Sequence, residues 1–541
     1  MKLKPLLKYG SLSIVVITGF YLLLPPRERG DALPARAGAE RGSGKTAHVI
    51  QFSPGGFYLP GHRPFGIGEP LQGITNVIRA FEERFPDTRI EVNNSPTLRE
   101  YLVTQLSSGQ APDIICVNVE DVWVDVQKGW YVPLDPYLEA PNPFIREKGD
   151  STQPGYRQWW DMFTYQAISR GKGAPEDGLN YCISYDMIET GIYYNKTLFR
   201  ELGITVPKTW EEFTGIMARI MAGGRVPLLM SDWTFSDWCV DLFFHQLYHN
   251  LLPGIDLYKD PVREPYMEGY LDGFEIMFLV KKGFFTRRDP RFVEIWKIMH
   301  ELKKYTNRDL HSTDLTREFV TQHAAMLWSM PNLSYRFQAD PHLGFEWGVF
   351  YLPPFTRKTS PHASGVPMCV IGGSGTQYSV TNSALRDTDP SLPLEARITR
   401  SERLKRVIAF LQFLCIPAQY ERIVNEYPAE IPNIRGVKPL PLLQPFCEIL
   451  ERSYTDTKWI YTFDLRFSEI QTRMLGLYLT DGISFDEFLE WEEKNILSAC
   501  RNLELRKNID MASLERAWDS LAPLRAAMTG LPRPADEGKR P

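Results

Sequence analysis

The sequence predicts an α/β protein built on doubly wound sheets. Three observations carry that expectation. Short apolar runs of strand type recur, amphipathic stretches of helical period lie between them, and the two alternate from His48 onward. "HVIQFSP" reads as the first strand. "ITNVIRAFEERFP" follows, with Ile74, Val77, Ile78, Phe81 and Phe85 spaced for one helical face and Pro86 as its stop. "TRIEVNN" is a second strand, "TLREYLVTQLSSG" a second helix ended by Gly109, and "DIICVNV" a third strand. Three strands joined by helices make a parallel sheet.

The end of that third strand is the first place to look for function, because open α/β sheets hold ligands beyond the carboxyl ends of their strands. Asn118, Glu120 and Asp121 stand there, with Trp123 just beyond, and Gly129 stops the helix that follows. The competing role for Glu120 and Asp121 is to start that helix favourably, by charge on its dipole.

After a looser stretch from Pro141 to Asn180 the alternation resumes. "ETGIYYNKTLFRELGI" leads to Pro207, and Thr209 caps "WEEFTGIMARIMAGG", with Glu212 completing a capping box. "VPLLMS" reads as a strand and "SDWCVDLFFHQLYHN" as an amphipathic helix. Asp232, Trp233 and Trp238 sit at its entry as ligand candidates, or as a cap and core aromatics. "AAMLWSM", "GVFYLPPF" and "PMCVIGGSG" are apolar strands, and "RLKRVIAFLQFLC" is a strongly amphipathic helix. Helices dominate from Phe467 to Leu521, and a disordered tail is expected after Met528.

Composition excludes several classes. The chain has 541 residues, enough for two or more cores, with 43% apolar and 23% charged residues as in soluble globular proteins. A net charge of −5 argues against nucleic acid binding through a broad basic surface. Lys2, Lys4 and Lys8 precede the uncharged run Tyr9–Leu24, which Pro25 and Pro26 end. That is the pattern of an export signal, and its length also allows an uncleaved membrane anchor. Residues 1–26 are therefore read as a signal or anchor segment and 27–46 as a linker. The body belongs outside the cytoplasm in either case.

The seven cysteines are scattered, with no zinc spacing. "GSGKT" in the linker lacks the glycine of a phosphate loop, since position 39 is Ala. His245 and His249 share a helix face at i and i+4, but Gln246 stands where a metalloprotease carries Glu. No GxSxG occurs. No cofactor or metal is called for.

The order of segments resembles the family 1 extracellular solute-binding proteins of ABC importers, the maltose- and multiple-sugar-binding type. The matching pieces are "AFEERFPDTRIEV", "LSSGQAPDIICVNVED…QKGWYVPLD", "GIYYNKTLFRELGITVPKTWEEF", "HAAMLWSM", "FEWGVFYLPPF", "CVIGGSGTQYSVTNSA", "RVIAFLQFLCIPAQYERI" and "QTRMLGLYLTDGISFDEFLEWEEKNI". The "YNK…G…PKTWEEF" block is the most specific.

The resemblance implies a two-lobed periplasmic-binding-protein type II fold whose sheets are joined by a hinge that closes on a ligand. Lobe 1 would hold residues 47–184 with 366–431, lobe 2 residues 185–365 with 432–528, and 529–541 the tail. The first crossing falls at "CISYD", where Ser184 stands in the family's usual Pro position and Tyr185 and Asp186 follow. The other crossings fall near Gly365–Met368 and Ile431–Pro432. After "AAMLWS" the family often has a Gly-Ser-Trp-like turn. Here Met330, Pro331 and Asn332 occupy it, so Asn332 or Trp328 would substitute for the aromatic platform. Gly372, Gly373 and Ser374 match the family's Gly-rich strand end.

The implied function is capture of a mono- or oligosaccharide between the lobes and its delivery, unchanged, to an ABC permease, by a monomer. Two other classes stay open: a membrane-tethered ligand sensor of the same fold, and a carbohydrate-active enzyme.

Overall fold

The computed structural model describes residues 48–94, 99–164, 174, 177–258, 271–312, 314–341, 343–367, 369–370, 374–451, 455–456 and 465–532. The signal or anchor segment, the linker, residues 533–541, Gly372 and Gly373 lie outside them.

Strand β1 (His48–Ser53) is followed by helix α1 (Gly73–Arg84), β2 (Thr88–Val92), α2 (Arg99–Ser107), β3 (Ile114–Cys116) and α3 (Val119–Asp125). The apolar face expected of α1 is the face it buries: Ile74, Val77, Ile78 and Phe81 are all inside. Its first amide groups are satisfied from far along the chain, by Glu426, whose Oε1 accepts from Gln72 N at 2.7 Å and Oε2 from Gly73 N at 2.6 Å. A short 3₁₀ turn extends α3 to Lys128, and Gly129 ends it in the left-handed conformation at φ 66°.

Three strands then cross from one sheet toward another: β4 (Cys182–Ser184), β5 (Asp186–Met187) and β6 (Gly191–Asn195). Helix α4 (Trp210–Ala222) starts at Thr209, whose hydroxyl accepts from Glu212 N at 3.3 Å. The reciprocal bond of the expected capping box is displaced by one residue, because Glu212 Oε2 accepts from Lys208 N at 2.7 Å. After β7 (Val226–Leu229) the expected helix arrives in three parts. These are a turn at Asp232–Thr234, a π-helical turn at Phe235–Cys239, and α5 (Val240–Tyr248). Next come α6 (Pro290–Lys303), β8 (Ala324–Ser329), α7 (Asn332–Ala339), β9 (Trp347–Phe350), β10 (Cys369–Val370) and β11 (Gln377–Val380). The chain ends with α8 (Glu402–Leu414), α9 (Pro417–Val424), β12 (Ile431–Pro432), β13 (Thr455–Asp456), α10 (Leu465–Leu479), α11 (Phe485–Arg506) and α12 (Met511–Ser520).

Two main sheets result. The first has strand order β2-β1-β3-β11-β4 and the second β7-β8-β6-β9. Strands β1, β2 and β3 are parallel, as the alternation predicts. Strand β11 runs antiparallel to both β3 and β4, because the chain enters it on returning from the second sheet. Between the sheets lies a separate two-stranded ribbon, in which β5 pairs antiparallel with β12. The chain thus leaves the first sheet at Ser184, passes through the ribbon, and enters the second at Gly191.

One core lies under the first sheet, where Phe81 packs edge-on against Phe410 and Phe413 of α8. A fully buried Asp113 ties α8 to this sheet. Its carboxylate accepts from Arg403 Nε at 3.0 Å and Nη2 at 2.5 Å, and from Gln51 N at 2.7 Å. The largest core runs from one face of the first sheet, where it includes Ile115 and Cys182, beneath the second sheet and into α10 and α11, with Trp296 edge-on to Phe488. Beyond it Arg291, nearly buried, donates to the carbonyls of Thr529 and Gly530.

Candidate functional site

In the first sheet the chain goes from β1 to β2 on one side and then to β3 on the other. The gap between the carboxyl ends of β1 and β3 is therefore a topological switch point, where such sheets open a crevice. At the β1 end, Gly55 has φ 81°, and a Cβ there would lie 2.7 Å from Cys116 Sγ of β3. Glycine lets the two strand ends approach. Phe57 is half-buried and Tyr58 buried just beyond it.

At the β3 end, Asn118 is exposed and makes no side-chain capping bond to α3. Val119 N instead donates to Gln377 Oε1 of β11 at 3.2 Å. Asp121 is half-buried, whereas Trp123 is 6% exposed and belongs to the largest core. Glu120 lies in α3, and its side chain is outside the described residues.

Tyr185 and Asp186, at the first crossing, are both fully buried. Tyr185 is an aromatic hub, packed against Tyr58, Tyr378 and Tyr420 with ring centroids 6.1, 5.2 and 4.7 Å away. Asp186 Oδ1 accepts from Thr376 N at 2.8 Å and from Ser374 Oγ at 3.2 Å, while Oδ2 accepts from Tyr58 O–H at 3.1 Å. Burial pushes its carboxyl up to about 6, against the pull of those same donors. The ends of β1 and β11 are thereby fastened to the ribbon between the sheets. Ser374 and Asp186, separate candidates in the sequence, are one network.

On the second sheet, Ser231 caps the turn after β7: its Oγ accepts from Thr234 N at 3.0 Å. Asp232 Oδ2 lies 3.0 Å from His311 Nδ1, and its Oδ1 accepts from Trp233 N at 2.7 Å. Trp233 is half-buried and stands perpendicular to Trp238, with ring centroids 4.5 Å apart. Trp238 is 3% exposed and, like Trp123, belongs to the largest core. The π-helical turn that carries Trp238 is a rare geometry concentrated at functional sites. Asn332 begins α7, is half-buried, and hydrogen-bonds with the side chain of Tyr427. Trp328 is buried, its Nε1 donating to Thr190 Oγ1 at 3.1 Å.

Several residues around this region carry no motif. Phe65 is 39% exposed with φ 53°, an uncommon conformation for a bulky residue, and it lies 5.8 Å from the guanidinium of Arg336 in α7. A Cβ on Gly68 would come within 2.9 Å of Tyr335 Oη, also in α7. The segment after β1 therefore reaches across to the helix after β8. Glu430, immediately before β12, is buried as well. The signal that could have found Phe57 and Tyr58 is the switch-point rule applied to the first strand as well as the third.

His245 of α5 and His249 just beyond its end stack with ring centroids 5.7 Å apart, and burial and His245 hold His249 down at about 4. Among the described residues no group of three or more His, Cys, Asp or Glu is arranged to hold a metal. Two surface cavities, of about 340 Å³ around Tyr194, Lys196 and Trp347 and about 640 Å³ around His300, Tyr478 and Asp481, include none of the candidate residues named above.

Residues 68–377 match the family model described as bacterial extracellular solute-binding protein. The chain is 27% identical over 180 residues to the multiple sugar-binding protein of Streptococcus mutans, covering 32% of this chain and 36% of that one. It is 25% identical over 187 residues to the osmoprotective compounds-binding protein GgtB of Synechocystis, covering 32% and 39%. The chain thus matches little more than a third of the length of these curated relatives. Among solved structures, a chitin oligosaccharide binding protein superposes with a TM-score of 0.58 at 16% identity, over 85% of this chain and 100% of that one. The shared architecture is the two-lobed type II binding-protein fold. On the family match over more than half its length, this chain is a member of the bacterial extracellular solute-binding proteins.

Proposed function

We propose that this protein captures a carbohydrate between its two lobes outside the cytoplasm and hands it, chemically unchanged, to an ABC permease. The observation that carries this reading is the pairing of accessible polar groups with an aromatic face at the strand ends. Asn118 is exposed, and Asp121, Asp232 and Trp233 are half-buried, the last lying across Trp238. Paired hydroxyls of a sugar need converging amides and carboxylates, while the C–H face of the ring needs an aromatic plane. An unpaired buried hydroxyl would cost about 1–3 kcal/mol.

In this reading lobe 1 is 47–184 with 366–431 and lobe 2 is 185–365 with 432–528, and the β5·β12 ribbon is part of the hinge. Tyr185, Asp186 and Ser374 act from beneath the site as its frame. The protein works as a monomer, exported through Tyr9–Leu24, which stays as its anchor or is removed. The relatives named above bind multiple sugars and osmoprotective compounds, so polyols belong in the search beside sugars.

The test is a thermal-shift panel of mono- and oligosaccharides and polyols on the purified chain. A ligand at a hundred times its dissociation constant should add about 2.7 kcal/mol of stability. Recovery of that ligand unaltered after long incubation separates a carrier from an enzyme. A panel with no stabilising sugar or polyol removes the carbohydrate reading.

A further inference from the structure

We propose that the buried carboxyl of Glu430, set beside Asp186 and Glu189 where the two sheets are joined, makes closure of this protein proton-dependent, so that raising the pH opens it. Glu430 is 1% exposed, and neither of its carboxylate oxygens has a hydrogen-bond partner among the described residues. Among the described residues the charged groups that face it are the carboxyls of Asp186 and Glu189, with the phenols of Tyr58, Tyr193 and Tyr427 around them. No Lys, Arg or His stands among these groups. A buried carboxylate without a partner is costly, and the carboxyls of Asp186 and Glu189 facing it raise that cost for Glu430 further. A metal does not fit, since among the described residues no such group is arranged to hold one. A proton on the carboxyl removes that cost.

Its place in the fold turns this chemistry into a device. A Cβ on Gly375, in the segment entering β11 of the first sheet, would lie 3.4 Å from Glu430 Cγ. Phe57 after β1 and Ile188 after β5 close the same spot, at 2.9 and 3.3 Å. Tyr58 belongs to the core of the first sheet, while Tyr193 is in β6 of the second. Glu430 is therefore enclosed by pieces of both lobes, on the residue that leads into the ribbon joining them. Rotating one lobe away from the other admits water and lets the carboxyl ionise at its ordinary value.

With the two sheets packed around it as in this structure, burial first, and then the charges of Asp186 and Glu189, push Glu430 well above the usual carboxylate range. A value raised in the closed form means that this form is favoured at low pH and loses ground as pH rises. For one proton the closed-to-open ratio falls about tenfold for each step of one in pH between the open and closed values.

The inference rests on the lobe-closure reading above, and its test uses no ligand, so an unproductive sugar panel does not decide it. Small-angle scattering of the full chain would be recorded at about pH 5 and about pH 7.5, with circular dichroism on the same samples. The expected result is a larger radius of gyration at the higher pH with helix content unchanged, and a Glu430→Gln variant that stays compact at both. A wild-type radius equal at the two pH values, a variant that shifts with the wild type, or a rise accompanied by loss of helix would each overturn the proposal. Should Glu430→Gln fail to fold, Glu189→Gln removes one of the two facing charges and must move the opening transition to higher pH. An unmoved transition is equally decisive against it.

Discussion

At the scale of single residues, burial separates groups that can meet a ligand from groups that hold the frame. Asp121 and Trp233 are half-buried at strand ends. Asp121→Ala and Trp233→Ala should each weaken binding of whatever ligand the panel identifies by at least tenfold, about 1.4 kcal/mol. The melting temperature of the unliganded protein should stay nearly unchanged. Titration calorimetry with parallel thermal melts checks both halves, and normal binding by a destabilised variant would assign that residue to the frame. Asp113 belongs to the opposite class. It is 0% exposed and is gripped by the forked guanidinium of Arg403, itself only 15% exposed. Removing one partner of such a pair strands the other, so Asp113→Ala should cost about 3–5 kcal/mol. Urea unfolding should show this as a lowered midpoint with an unchanged slope.

At the scale of elements, the C-terminal hairpin of α10 and α11 stores a titratable group in its interior. Glu492 of α11 is 1% exposed, and its carboxyl accepts from Gln471 Nε2 of α10. Burial pushes it up to about 8, only partly opposed by that bond. A folded value above the unfolded one gives stability that is complete below the ordinary carboxylate range and is lost as pH rises through about 8. The hairpin should therefore loosen across that window, its opening equilibrium growing by up to about tenfold, or roughly 1.4 kcal/mol, for each step of one in pH. Glu492→Gln should remove the dependence, and hydrogen exchange across Leu465–Arg506 at rising pH would show it. The elements also define what the sequence alone makes legible. The helices α1, α4 and α8 and the strands β1, β2 and β8 are written in local periodicity, because each buries one face or a whole short run. The two-residue strands β5, β10, β12 and β13 are too short to have a period, and the direction of β11 depends on where the chain returns from. The π-helical turn at Phe235–Cys239 is likewise set by packing that no local pattern records. The candidate site is less legible for a related reason: a Trp or Tyr near a strand end reads the same whether it stays half-buried, as Trp233 does, or fills a core, as Trp123, Trp238 and Tyr185 do.

At the scale of the whole molecule, the question is whether two sheets joined by a thin ribbon move. A ligand that touches both lobes only when they are closed shifts the population by its difference in affinity between the two forms. It should therefore shrink the radius of gyration. Gly375 offers a way to test this without touching a ligand group. A Cβ there would stand 2.9 Å from Phe57 Cε2 and 3.3 Å from Ile188 Cγ1, inside the distance that packed carbons keep. The neighbours come from the end of β1 and from the exit of the ribbon, so the strain is relieved most readily by parting the structure at this joint. Gly375→Val should act as a wedge. Its radius of gyration without ligand should exceed the wild-type value, its response to a verified ligand should vanish, and affinity should fall because closure must now work against the added side chain. The ligand-contacting side chains remain intact in this variant, so lost affinity would be a property of the hinge. If Gly375→Val binds as the wild type does, or if the wild type binds tightly with no change in scattering, the cleft is a rigid pocket. The lobes would then not be moving parts of an importer.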